Sequence, residues 1–163
     1  MKYSRLAMCL RALVLLCCIP VAAIAADAIK PVTVCEVLTD LAAHEGKEAA
    51  VLGRFSFRKD GRWIGEQECP GVATPALWLT EDSAGGPKPP GDFELDATAL
   101  NRKFAELVKH TQLGKFRFGT PDYDRWAVVF GRVEPRKAEE ANKAGAELVF
   151  RGSGVIIFLT TER

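Results

Sequence analysis

Histidine is scarce in this chain, and the residue patterns of common catalytic sites are missing. His44 and His110 are the only histidines among 163 residues. Each lies near the predicted end of a helix, where an imidazolium interacts favourably with the helix dipole. The sequence has no Cys-x-x-Cys, no His-x-His, no phosphate-binding loop and no dinucleotide fingerprint. We therefore predict no metal site and no cofactor, and we expect that the protein is not an enzyme.

The sequence also lacks an apolar run long enough to cross a membrane. The apolar stretch at residues 12–26 is shorter than the roughly 20 residues that a spanning helix needs. It follows three basic residues and contains Ala-Ile-Ala at residues 23–25, which is the pattern of a secretory signal peptide over residues 1–25. We expect cleavage there, a single domain over residues 26–163, and a periplasmic or secreted protein without a transmembrane segment.

An excess of charge of one sign is missing as well. The whole chain has 22 Lys and Arg against 21 Asp and Glu. The predicted signal peptide holds three of the basic residues and none of the acidic ones, which leaves 19 against 21 and a net charge of −2. A near-neutral domain lacks the basic surplus that phosphate backbones attract. Nucleic acid is therefore disfavoured, and we expect a monomer that binds an unidentified protein or small ligand.

Only two cysteines lie outside the predicted signal peptide. Cys35 and Cys69 are the two that remain, and in an exported, oxidising setting a disulfide is the expected outcome. The alternative is a reactive thiol at Cys35, because that residue lies in the first turn of a predicted helix, where thiol pKa values fall.

Strand patterns dominate what the sequence does contain. Apolar and other residues alternate along residues 48–58, as in a half-buried strand. Gly53 in the middle of this strand predicts a bulge or a sharp bend. Asp60 and Gly61 then form a strong hairpin signal. Residues 126–134 repeat the same arrangement of apolar residues followed by Gly-Arg, which predicts a second, similar strand.

The elements are predicted in the order helix, three strands, helix, two strands. The first helix begins at a capping box of Thr33 and Glu36 and is expected to end at Gly46. The second helix is predicted over residues 96–113, and residues 81–95 are predicted to form a flexible loop. The predicted strands cover residues 48–58, 63–67, 75–80, 125–134 and 147–159, the last one broken at residues 152–154 and buried on both faces after the break.

This order is that of a five-stranded OB-like barrel. The predicted fold is mainly β, with an N-terminal capped helix and a second helix between barrel strands 3 and 4. The alternative is an α+β sheet with both helices on one face.

Several short motifs carry a family resemblance over most of residues 33–134. They are Val34-Cys35-Glu36-Val37-Leu38, Gly46-Lys47, Val51-Leu52-Gly53-Arg54, Cys69-Pro70, Trp78-Leu79 and Gly131-Arg132-Val133. In these motifs the chain resembles small exported bacterial proteins with an OB-like barrel and no assigned activity. The resemblance implies export and a barrel fold, and it implies no particular ligand.

Aromatic and basic residues on strands are the candidates for a ligand surface. OB-type barrels often use one sheet face to stack bases or sugars on aromatic rings. Arg54 and Arg58 share one face of their strand, while Arg62 and Trp63 follow the hairpin turn. We predict that these four residues bind the ligand. The alternative is that most of the aromatic rings fill the barrel and that the arginines are ordinary surface residues.

Three hypotheses about function remain. The first is an exported, non-enzymatic binding or protein-interaction module with an unidentified ligand. The second is a binder of single-stranded nucleic acid or anionic glycan on the same barrel face. The third is a small hydrolase that uses Glu66, Glu68 or His110, since the two glutamates lie at alternate positions of a strand and so share a face.

Overall fold

The structure is a computed structural model, and it describes residues 28–91, 93–111, 123–136 and 144–158. The predicted signal peptide lies outside these ranges, as do the last residues predicted for the second helix. Within the described ranges, no helix is both long enough and apolar enough to span a bilayer.

Six strands and three helices make up the described part of the chain. They are β1 (Val32–Thr33), α1 (Val34–Thr39), α2 (Leu41–His44), β2 (Glu48–Arg58), β3 (Gly61–Gly65), β4 (Ala76–Glu81), α3 (Ala97–His110), β5 (Tyr123–Glu134) and β6 (Ala146–Phe158). The strand order is β1-β2-β3-β4-β6-β5, and β5 also pairs with β2. Strands β2 to β6 therefore close into a five-stranded barrel, and β1 is an extra strand parallel to β2. The predicted OB-like barrel is confirmed.

The first helix is two short helices rather than one. Its predicted capping box is present, since Thr33 Oγ1 accepts a hydrogen bond from the N–H of Glu36 and the Glu36 carboxylate accepts one from the N–H of Thr33. The single helix predicted up to Gly46 was wrong, because the backbone leaves the helical region at Asp40. The Asp40 carboxylate accepts a hydrogen bond from the N–H of Ala43, so this residue caps α2 instead of continuing α1.

The missing side chain of Gly53 lets β2, β3 and α1 pack closely together, and Gly53 does not form a bulge. Its strand pairs with β5 in unbroken register over all of residues 48–57, so the predicted bulge was wrong. A Cβ atom at Gly53 would lie 2.9 Å from Cγ1 of Ile64 and 3.1 Å from Cγ2 of Val34. The missing side chain therefore leaves room for α1 to pack against the barrel.

The apolar residues form two layers that are separated by the barrel wall. The interior cluster combines inward-facing strand residues with two valines of α1: Val34, Val37, Val51, Phe55, Ile64, Leu77, Leu79, Ala127, Val129, Val133, Ala146, Leu148 and Phe150. The outer cluster lies between the barrel and α3: Ala50, Leu52, Phe93, Val128 and Phe130, with Leu100, Phe104, Leu107, Ile156 and Phe158 packed against them. Helix α1 thus contributes to the barrel core, while α3 covers one side of the barrel from outside.

The last strand shows one of its predicted features and lacks another. Strand β6 runs through Gly152 and Gly154 without ending, but its pairing with β5 jumps from Phe150 to Val155. The predicted break is therefore present as an irregularity in the pairing at residues 151–154. The predicted burial on both faces near its end was wrong, because Ile157 is 45 % exposed. Ile156 and Phe158, on the opposite face, pack against the outer cluster.

The predicted disulfide is confirmed. Cys35 in α1 and Cys69 in the loop between β3 and β4 are bonded, with their Cα atoms 5.3 Å apart. The bond ties α1 to the barrel, next to the contact of Val34 with Gly53. A free reactive thiol at Cys35 is therefore absent in this structure.

Replacing Cys35 and Cys69 together by Ser is expected to lower the free energy of unfolding by about 3–4 kcal/mol, because the bond restricts the unfolded chain. Guanidinium unfolding of the purified protein, expressed from the full-length sequence, measures this difference. Reduction with dithiothreitol should destabilise the wild-type protein and leave the double variant unchanged. Equal midpoints for oxidised wild type and double variant would contradict the prediction.

Candidate functional site

A row of paired residues crosses the outer face of the barrel. Asp124 on β5 pairs with Ser56 on β2, Ser56 with Trp63 on β3, and Trp63 with Trp78 on β4. Directly paired residues point to the same face of a sheet. The neighbouring positions along β2, β3 and β4 belong to the interior cluster, so these four residues face outward. We call them the outer row.

Two tryptophans form the aromatic part of the outer row. The ring centroids of Trp63 and Trp78 are 6.3 Å apart, and the ring planes differ by 23°. Both residues are partly exposed. The guanidinium carbon of Arg136 lies 4.7 Å from the Trp78 ring centroid, within the range of a cation–π interaction. We call these three residues the tryptophan surface.

Gly61 determines where the Trp78 ring can lie. A Cβ atom on Gly61 would be 2.2 Å from Cη2 of Trp78, so the ring rests against the backbone of the β2–β3 hairpin. Gly61 also has a φ of +136°, a conformation that residues with a side chain rarely adopt. The hairpin and Arg136 therefore hold Trp78 in place without help from a ligand.

The other end of the outer row is a buried polar cluster. Ser56 Oγ donates a hydrogen bond of 2.5 Å to Asp124 Oδ1, and Arg58 Nη2 donates one of 2.6 Å to Oδ2. Asp124 is 3 % exposed and Ser56 is 1 % exposed. Burial by itself raises the pKa of Asp124, but the hydrogen bonds from Ser56 and Arg58 and the charge of Arg54 outweigh it. The pKa of Asp124 is therefore below its ordinary value, and its carboxylate is ionised at neutral pH.

Three of the four residues predicted to bind ligand lie on one face. Arg54 and Arg58 pair with Gly65 and Gly61 on β3, so they flank Trp63 on the outer side of the barrel. Arg62 precedes Trp63 in β3 and therefore points to the opposite face.

The contacts of Arg62 confirm this orientation. Its guanidinium carbon lies 5.6 Å from the Phe150 ring centroid, and its Nη1 lies 3.0 Å from Glu81 Oε2. Phe150 belongs to the interior cluster. Arg62 thus packs against the interior and lies apart from the tryptophan surface.

Two residues of the tryptophan surface were not predicted from the sequence. Trp78 lies between Leu77 and Leu79, which both face the interior, so strand alternation alone could have placed it outside. Arg136 had no such signal, because it follows the end of β5 and reaches Trp78 only through the fold.

A second candidate site is a cleft of about 600 Å³ between the β3–β4 loop and the end of α3. Its walls include Glu66, Glu68, Glu106 and His110, with the disulfide residue Cys69 beside them. The structure thus brings together the three residues that were predicted for a hydrolase.

Glu66 has a structural contact as well as a position in the cleft. Its Oε1 accepts a hydrogen bond of 2.6 Å from the backbone N–H of Cys35, which satisfies a donor in the first turn of α1. Burial raises the pKa of Glu66 more than the hydrogen bonds from Cys35 and Thr33 lower it. Cys35, Cys69 and Glu66 offer ligand atoms within 4.8 Å of one another, but the disulfide occupies both sulfurs.

Asp124→Asn is expected to lower the free energy of unfolding at neutral pH by about 1–3 kcal/mol, because it weakens charge-assisted hydrogen bonds in a buried cluster. A carboxyl with a lowered folded-state pKa stabilises the fold above its unfolded pKa, and this stabilisation disappears as the pH falls through the folded pKa. The variant should therefore lose less stability than the wild type below about pH 4. Urea unfolding at several pH values measures both effects.

Glu66→Gln is the matched control, and its effect on the pH dependence of stability should have the opposite sign. Because folding raises the pKa of Glu66, ionisation of this carboxyl destabilises the fold as the pH rises above about 4. The Gln variant should lack that loss and can still accept the hydrogen bond from Cys35. Identical pH profiles for the wild type and the two variants would show that neither carboxyl is perturbed as described.

Comparison of the chain with protein-family models, with curated proteins and with solved structures found no match. The resemblance to small exported OB-like proteins therefore stays a prediction. The described residues form two candidate sites, which are the tryptophan surface and the cleft.

Proposed function

We propose that the protein is an exported, non-enzymatic binding module that holds its ligand on the tryptophan surface. The observation that carries this proposal is the pair of partly exposed tryptophans on β3 and β4. These are the second and third strands of the barrel, and that face is where OB-type barrels bind oligonucleotides and oligosaccharides.

The loops next to the two tryptophans also support a binding role for this face. In OB-type barrels, the loops between strands 1 and 2 and between strands 4 and 5 border the binding face. Here Gly61, the first residue of β3 after the first of these loops, contacts Trp78, and the second loop supplies Arg136, which stacks on it. Because Trp78 is held in this way and stacks with Trp63, the pair loses little conformational freedom when a ligand stacks on Trp63, so more of the contact energy contributes to affinity.

Export is supported by two features of the chain. The pattern of residues 1–25 is that of a secretory signal peptide. The disulfide between Cys35 and Cys69 is a bond that persists in oxidising compartments.

Trp63→Ala is expected to weaken ligand binding by about tenfold or more, because stacking on one aromatic side chain contributes about 1–3 kcal/mol. A thermal-shift screen of the purified protein against oligosaccharides, nucleotides, peptides and short single-stranded DNA finds the ligand, since a ligand of the folded state raises the melting temperature. Titration calorimetry then measures the dissociation constants of wild type and variant.

Arg62→Ala is the matched control for this test. Arg62 is the neighbour of Trp63 in the chain but lies on the other face of β3, so its removal should leave affinity unchanged. A ligand whose affinity falls in Arg62→Ala and not in Trp63→Ala would place the binding site elsewhere.

The cleft supports a second candidate function, hydrolysis by acid–base catalysis. The observation in its favour is that Glu66, Glu68 and His110 line one cleft, and that the pKa of Glu66 is raised, as a general acid requires. The hydrogen bond from Cys35 to Glu66 favours a structural role for the same carboxyl, which is why binding is the preferred proposal.

If the cleft is catalytic, Glu66→Gln is expected to lower turnover by about a hundredfold or more. The measurement is hydrolysis of chromogenic glycosides and esters by the purified protein, with Glu68→Ala and His110→Ala tested in parallel. Glu106→Ala is the control, because its carboxylate lines the same cleft but pairs with Lys109. Turnover that survives in all three test variants would exclude this function.

A further inference from the structure

The arginines next to the tryptophan surface already have partners within the protein. Arg58 donates through Nη2 to Asp124 at 2.6 Å and through Nη1 to the carbonyl of Phe57 at 3.0 Å. Arg136 lies over the ring of Trp78. The charge of Arg54 contributes to the lowered pKa of Asp124. An anionic ligand would have to displace Asp124 to reach Nη2 of Arg58, and the Nε atoms of Arg54 and Arg136 are buried below the surface.

A carboxylate lies on the far side of the tryptophans. Glu147 on β6 pairs with Trp78, so it extends the outer row and points to the same face. It is partly exposed. A phosphate or sulfate group of a ligand next to Trp78 would come close to this negative charge. The repulsion between like charges would then oppose binding.

Stacking alone does not distinguish a base from a sugar, but charge does. Single-stranded nucleic acid gains most of its affinity from cations that neutralise its phosphates, and the arginines on this face are engaged. A neutral sugar needs no free cation. Its apolar C–H face can lie on an indole ring, and its hydroxyl groups can donate hydrogen bonds to a carboxylate such as that of Glu147.

We propose that the ligand of the tryptophan surface is a neutral oligosaccharide, with one sugar ring on Trp63 and a hydroxyl group donating to Glu147. This inference rests on the proposed function, since it names the class of ligand for the same surface. Trp63 is the stacking residue because Arg136 already covers one face of Trp78.

The test is titration calorimetry of the purified protein, expressed from its full-length sequence. The probes are neutral tetrasaccharides of glucose, galactose, mannose and N-acetylglucosamine, a galacturonate tetramer, and an oligothymidylate of similar length. We expect at least one neutral tetrasaccharide to bind, with an affinity that changes less than about twofold between about 50 and about 200 mM salt, because no counterions are released.

Three variants test the placement of the sugar. Trp63→Ala should weaken binding by about tenfold or more, and Glu147→Gln should weaken it by severalfold, because a neutral amide oxygen accepts a weaker hydrogen bond than a carboxylate. Arg62→Ala should have no effect. Circular dichroism melts of all variants verify that each one is folded.

Each outcome leads to a different conclusion. Salt-independent binding of a neutral tetrasaccharide that is lost in Trp63→Ala supports the inference. Trp63-dependent binding of only the galacturonate or the oligothymidylate, with affinity falling steeply with salt, overturns the neutral ligand and keeps the binding surface. If no probe binds in a Trp63-dependent way, the inference is overturned, and the proposed function then depends on the wider ligand screen.

Discussion

Strand β2 is hydrogen-bonded along both of its edges, and the rest of the barrel depends on this pairing. It pairs with β5 over residues 48–57 and with β3 over residues 54–58. Its inward side chains supply part of the interior cluster, and its outward side chains change character along its length. Ala50 and Leu52 lie under α3, whereas Ser56 belongs to the outer row. One strand therefore supports the core, the helix layer and the candidate site, because side chains alternate between the two faces of a strand.

The contact of α1 with this strand explains several features that look unrelated in the sequence. Gly53 leaves space for Val34, the disulfide holds α1 against the β3–β4 loop, and Glu66 accepts a hydrogen bond from the first turn of the helix. These contacts join residues between 19 and 34 positions apart and converge on one short helix. A helix of six residues does not form stably alone in water, so the disulfide and the packing are what keep it in place.

Local patterns predicted most of the fold and only part of the candidate site. Alternation identified β2 and the capping box identified the start of α1, because each signal lies within a few neighbouring residues. The cysteine pair identified the disulfide, because only two cysteines lie outside the predicted signal peptide. The break at Asp40 was missed because that carboxylate competes with the helix through a local hydrogen bond. Arg62 was grouped with Trp63 although adjacent strand residues face opposite sides. The contact of Arg136 with Trp78 joins residues 58 positions apart, and no local pattern specifies it.

The outer row combines a buried polar cluster at one end with aromatic rings at the other. Asp124 takes two hydrogen bonds, from Ser56 and Arg58, and so neutralises a cation that would otherwise face the rings. Leaving this carboxylate unpaired in a buried position would be costly, so the pair resists being opened by a ligand. Trp78 is held between Gly61 and Arg136, so the surface presents two aromatic rings beside a stacked guanidinium group. In the proposed function, the fit of a flat ring and directed hydrogen bonds would contribute more to selectivity than net charge, and that is the physical basis for proposing a neutral sugar rather than a polyanion.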